Sequence, residues 1–116
     1  MWTHNDRGMS LFKEKKYPEA LEEFLAATRL DPAHPLPANN VGYTYYRLEE
    51  YADAAQWFER TIALDPRRGV AYLNLGDTYT KLGRKADAKR AFEKYLEIQP
   101  TSKCAPYARE MLKTLE

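Results

Sequence analysis

The chain has 116 residues and a formal charge of +1 from 18 basic and 17 acidic side chains, a length that suits one domain able to bury a core without covalent staples. The near-balance of charge gives no global attraction to nucleic acid or anionic lipid, and no apolar run approaches the ~20 residues of a membrane span. One cysteine, Cys104, excludes an intramolecular disulfide; this weakly favours a reducing cytoplasmic setting and leaves a periplasmic one open if a secretion signal has been removed.

The first two helices are expected within residues 1–34. One runs past Gly8 and Leu11, and the second opens at Pro18-Glu19 and carries Ala20 and Phe24 to Asp31-Pro32. Proline is tolerated in a first helical turn and an acid there favours the positive end of the helix dipole. A proline after the last turn cannot continue the helix and restricts its predecessor. A second pair fills residues 35–68: Val41, Tyr45 and Leu48 recur at helical spacing, the break falls near Glu50-Tyr51, and Ala54, Phe58 and Ile62 follow before Asp65-Pro66. The third pair, 69–102, carries Leu75, Gly76 and Tyr79, a C-terminal signal at Gly83, then Ala86-Asp87, Ala88, Phe92 and Gln99-Pro100. In the remaining 103–116 segment Tyr107, Met111 and Leu115 keep helical spacing, with Pro106 suited to a first turn.

These pairs are copies of one another. A shift of 34 residues superposes Gly8 on Gly42 and Gly76, Ala20 on Ala54 and Ala88, Phe24 on Phe58 and Phe92, and Pro32 on Pro66 and Pro100. Leu11, Tyr45 and Tyr79 also coincide, as do Leu30, Leu64 and Ile98. Several unrelated residue types recurring at one offset mark a true repeat. The small residues imply close helix approach, with each glycine facing the alanine of its own unit and the phenylalanines filling the space between units. A lone hairpin cannot bury both faces, so the units must stack, about three being the usual minimum.

With these residues in place, the sequence resembles the tetratricopeptide repeat family over residues 1 to about 100, most fully in Tyr72-Leu73-Asn74-Leu75-Gly76 through Tyr79, Ala88, Phe92 and Pro100. Arg7 stands where the family has a large aliphatic residue, which suits a first unit with no neighbour on that face. Tyr95 stands where the other units have Ala27 and Thr61, and its ring should tilt or displace whatever packs next. The resemblance implies an all-α fold in a single domain. It would be a right-handed superhelical stack of three antiparallel helix hairpins, closed by a C-terminal solvating helix over 103–116. The array is then expected to end at that helix, while further units could precede the first.

In this family the first helices line a concave groove that holds an extended peptide or a partner helix. By motif position the groove residues here are Asn5, Met9, Phe12 and Lys13; then Asn39, Asn40, Tyr43, Tyr46 and Arg47; then Leu73, Asn74, Asp77, Thr80 and Lys81. Asn40 and Asn74 are equivalent, and a carboxamide offers a peptide backbone both a donor and an acceptor; asparagine tolerated at a wet surface is the plainer account. Lys13, Arg47 and Lys81 form a basic column suited to an acidic segment, or merely a solvated flank. Phe12, Tyr43, Tyr46 and Leu73 make the groove partly aromatic, which suits recognition, though such stripes are more often core. Trp57, on a second helix, belongs to the convex side or between units. The family's clamp for a C-terminal carboxylate needs lysine, arginine and asparagine; of that set the chain keeps Asn40 but has Asn5, Met9, Val70 and Asn74 at the other positions, so chaperone-tail binding by that clamp is not expected.

Catalytic patterning is absent. His4 and His34 have no partners by spacing, Cys104 has no neighbouring histidine, and the glycines are explained by helix packing. No metal, cofactor or enzymatic activity is expected. The reading is a protein–protein interaction module holding a peptide or partner helix in its concave groove. The alternative is a structural or self-associating segment of a longer array, for which a stable homo-oligomer covering the Tyr43 face would be the sign.

Overall fold

A computed structural model describes residues 3–115. Among these residues there are seven helices: α1 (His4–Lys13), α2 (Tyr17–Leu30), α3 (Pro35–Arg47), α4 (Tyr51–Leu64), α5 (Gly69–Lys81), α6 (Lys85–Ile98) and α7 (Ala105–Thr114). They stack in chain order as three hairpins and a final helix, giving an elongated body of 45 × 25 × 22 Å.

Local chemistry sets the helix ends. Thr3 and Asp6 form a reciprocal capping box, the Thr3 hydroxyl accepting from the Asp6 N–H at 3.0 Å and the Asp6 carboxylate from the Thr3 N–H at 3.3 Å. Pro18, Pro35 and Pro106 sit in first turns, where their missing N–H costs nothing. The three hairpin turns are copies. Lys15, Glu49 and Gly83, spaced 34 apart, hold left-handed φ angles of 63°, 62° and 75°. The next residue donates back across the turn, as Arg84 N–H does to the Tyr79 carbonyl at 2.9 Å. Only the third turn carries the glycine that this conformation favours.

The nearest neighbour of each repeat glycine is the phenylalanine of its own unit, which the sequence reading placed between units. A Cβ on Gly8 would lie 2.5 Å from the Phe24 ring; the same holds for Gly42 with Phe58 at 2.8 Å and Gly76 with Phe92 at 2.7 Å. Each phenylalanine therefore fills the gap inside its own hairpin, because only a residue without a side chain lets a ring lie flat on the opposing helix. All three rings are buried, and Phe24 also shares a cluster with Val41 of the next unit. Each ring contributes roughly 1.5–3 kcal/mol by its burial. Thr44, Thr61 and Thr78 are also fully buried, and each hydroxyl donates to the carbonyl four residues earlier at 2.7–2.9 Å.

Tyr95 is buried and pairs through its hydroxyl with Ser102 at 2.6 Å, so its ring is built into the junction that leads to α7. The packing face of α7 is Ala105, Ala108, Met111, Leu112 and Leu115. Tyr107 sits at the edge of that face, 45% exposed but with its ring edge-on to Phe92 at 6.3 Å. Arg7 is exposed, as a unit with an uncovered outer face allows.

Candidate functional site

The first helices α1, α3 and α5 form the inner row of the stack, α3 touching α5 directly. Rows closer together lie on the inside of a curve, so the free faces of these helices line one continuous surface.

That surface is aromatic at its centre. The rings of Phe12 on α1 and Tyr43 on α3 stack with centroids 5.4 Å apart, and Tyr43 stacks on Tyr46 at 6.3 Å with an interplanar angle of 10°. Two more rings buttress the ends from the second helices, Tyr17 edge-on to Phe12 at 5.0 Å and Tyr51 edge-on to Tyr46 at 5.3 Å. Tyr17 and Tyr51 were not anticipated, although they recur at the 34-residue offset. The result is a five-ring ladder in rotamers fixed by one another, a preformed apolar surface.

Polar groups frame it. Asn40 Nδ2 donates to Asn5 Oδ1 at 3.0 Å, tying α3 to α1. Asn74, one repeat further on, makes no side-chain hydrogen bond to another described residue. Asn39 departs from the sequence reading: it is buried at 9% exposure, and its Oδ1 has no partner among the described residues. It is enclosed by the stack and does not line the open face. Arg47 lies over the Tyr43 ring with Cζ 5.4 Å from its centroid and donates to the Tyr43 hydroxyl at 3.3 Å; like Lys13 and Lys81, it is exposed. Met9 and Val70 are 41% and 42% exposed, so two of the positions that a carboxylate clamp would need carry apolar side chains.

The far end of the surface is closed by α7. The Tyr107 hydroxyl donates to Asp77 Oδ1 at 2.5 Å. Burial pushes the Asp77 carboxyl above its usual value, and the bond from Tyr107 and the nearby Lys81 only partly offset this. Burial also raises the Tyr107 phenol, followed by its bond to Asp77, and raises Tyr46, with Asp77 the next contributor. The Tyr107 hydroxyl serves here as a donor, and Tyr43 and Tyr46 serve as ring surfaces. No metal-ligand cluster of three or more His, Cys, Asp or Glu occurs among the described residues. No helix of the described residues is long and apolar enough to cross a membrane.

Comparison with known proteins agrees with this architecture. A family model described as Tetratricopeptide repeat matches residues 5–69, and a second of the same description matches 70–102. The chain is similar to the second such domain of the human RPAP3 protein, solved in complex with the HSP70 peptide SGPTIEEVD. The two are 30% identical with a TM-score of 0.90, covering 97% of this chain and 92% of that one. It is also similar to the first domain of Spaghetti (RPAP3) bound to the HSP90 peptide SRMEEVD, at 27% identity and a TM-score of 0.89, covering 97% and 89%. PcrH in complex with the chaperone binding region of PopD shares the fold at 18% identity and a TM-score of 0.90, covering 97% and 87%. Among curated proteins, none matches the chain in sequence.

Proposed function

The chain belongs to the tetratricopeptide repeat family and is a protein-interaction module, and from that premise we propose that its inner face holds an extended segment of another protein. The observation that carries this reading is the Phe12–Tyr43–Tyr46 stack on adjoining first helices. Rings already held in place lose little side-chain freedom when a partner docks. Asn74 beside the ladder offers a free carboxamide to a peptide backbone, and the Lys13–Arg47–Lys81 column favours a segment carrying acidic side chains. Exposed charges of this kind contribute about 0.2–1 kcal/mol each.

The two RPAP3 relatives were solved with peptides ending in EEVD. This chain has Met9 and Val70 at clamp positions, which favours an internal segment with apolar side chains over a free C-terminal carboxylate. Peptides selected from a displayed random library should settle on the inner face. Their binding, read by fluorescence polarisation, should weaken at least tenfold in Tyr43→Ala, while the SRMEEVD peptide should bind weakly or not at all. Selected peptides that bind Tyr43→Ala as well as wild type would remove the basis of the reading.

A further inference from the structure

A cleft of about 850 Å³ opens between α4, α5 and α6, with Tyr72, Leu75 and Ala91 on its walls and none of the ladder rings among its lining. The repeat itself supplies a ruler for this space. The equivalent seam, between α2 and α4, is filled by Trp57, whose indole packs on the cluster of Ala20, Phe24 and Val41. One repeat on, the residue at the position of Trp57 is Ala91, 34 residues later. Where an indole fills the seam in one place, a methyl group stands in the other, and the cleft runs down to it, with Ala91 only 5% exposed at its floor.

The surroundings of the missing ring also repeat. Arg60 lies over the Trp57 ring with its Cζ 4.9 Å from the centroid. The residue 34 further on is Lys94, which lines the open cleft. An aromatic ring seated against Ala91 would therefore meet a cation over its face, as Trp57 does. The rim adds a net negative balance: Glu59, Asp87, Glu93 and Glu97 against Arg90 and Lys94. Asp87 is engaged by Arg84 and Arg90, and Glu97 by Lys94 at 3.6 Å. Glu59 accepts from the Tyr79 hydroxyl. Glu93 is left without an ion-pair partner among the described residues.

We propose that this cleft is a second docking site, distinct from the inner face, and that it takes a tryptophan or similar aromatic side chain from a basic segment of a partner protein. The ring replaces the indole that the repeat omits at Ala91, and the flanking basic residue meets Glu93. The test is a titration of acetyl-Lys-Trp-Lys-amide into the full chain, followed by amide chemical shifts. The shifts of Leu75, Ala91, Glu93 and Lys94 should move and saturate, and the same peptide with alanine in place of tryptophan should leave them still. Ala91→Trp should weaken binding at least tenfold while melting no lower than wild type. Glu93→Lys, an exposed change that leaves the core alone, should weaken it about threefold or more and decides the matter if Ala91→Trp folds poorly. Tyr43→Ala should leave the cleft shifts unchanged, which separates this site from the inner face. Shifts confined to Phe12, Tyr43 and Tyr46, an absence of shifts, or undiminished binding by Glu93→Lys would overturn the proposal.

Discussion

The Tyr107 hydroxyl donates to Asp77 at 2.5 Å across a separation of 30 residues, joining the last helix to the inner row of the stack. α7 otherwise packs on α6 through Ala105, Ala108 and Leu115. The bond makes the closing helix part of the inner face as well as a cover for the core. Because Asp77 sits in a partly desolvated place, its charged form is disfavoured in the folded state.

That relationship fixes a pH dependence. The folded carboxyl is raised above its unfolded value near 3.8, so between the two values the folded state binds more protons. Wild-type stability relative to Asp77→Asn should therefore improve as pH falls through the raised value and level off below the unfolded one. Above the raised value the difference should be flat. Urea titrations of both proteins at several pH values would show it, and an opposite slope would mean that the Tyr107 bond outweighs burial.

The glycine–phenylalanine contacts predict a reversal of ordinary helix propensity. In an exposed helix Gly→Ala gains about 1 kcal/mol, but in Gly42→Ala the new methyl meets the buried Phe58 ring at 2.8 Å. Overpacking of this kind costs about 1–3 kcal/mol, so a net loss of up to about 2 kcal/mol is expected in chemical denaturation. Adding Phe58→Leu should recover part of the loss, giving a favourable coupling in the double-mutant cycle.

The three turns predict the opposite sign at a nearby kind of position. Glu49 holds a φ of 62° with a side chain, whereas Gly83 holds 75° without one. Glu49→Gly should stabilise the protein by up to about 1 kcal/mol, the relief of left-handed strain outweighing the added freedom of the unfolded chain. Gly83→Ala should destabilise by a similar amount although nothing lies within 4 Å of its Cβ. Thermal melts of the two variants are the check.

Asn40 and Asn74 should separate in their effects despite occupying the same repeat position. Asn40→Ala breaks the bond to Asn5 and should cost about 1 kcal/mol of stability. Asn74→Ala breaks no such bond and should leave the melting temperature within about a degree while weakening inner-face peptides severalfold. Equal stability losses in the two variants would show that Asn74 is also structural.

Much of the fold is legible in the sequence because its determinants are local. The 34-residue offset, the prolines after each second helix and the spacing of Val41, Tyr45 and Leu48 act within a few turns of chain. They place the helix ends to within a few residues. Three of the five rings, Phe12, Tyr43 and Tyr46, follow from motif position, whereas Tyr17 and Tyr51 reach the ladder from the second helices and were not anticipated. Nor was the burial of Asn39, because it depends on how closely neighbouring units nest.

By itself the sequence determined a stack of helical hairpins with a closing helix, since period, helix breakers and small residues leave no other way to bury each hairpin's two apolar faces. Only the tertiary structure decided that Phe24 lies on Gly8, that Tyr107 turns to Asp77, and that a cleft runs down to Ala91. Each of these relates side chains brought together from different helices. Their fit is set by interhelical distance and ring volume, which a one-dimensional pattern does not encode.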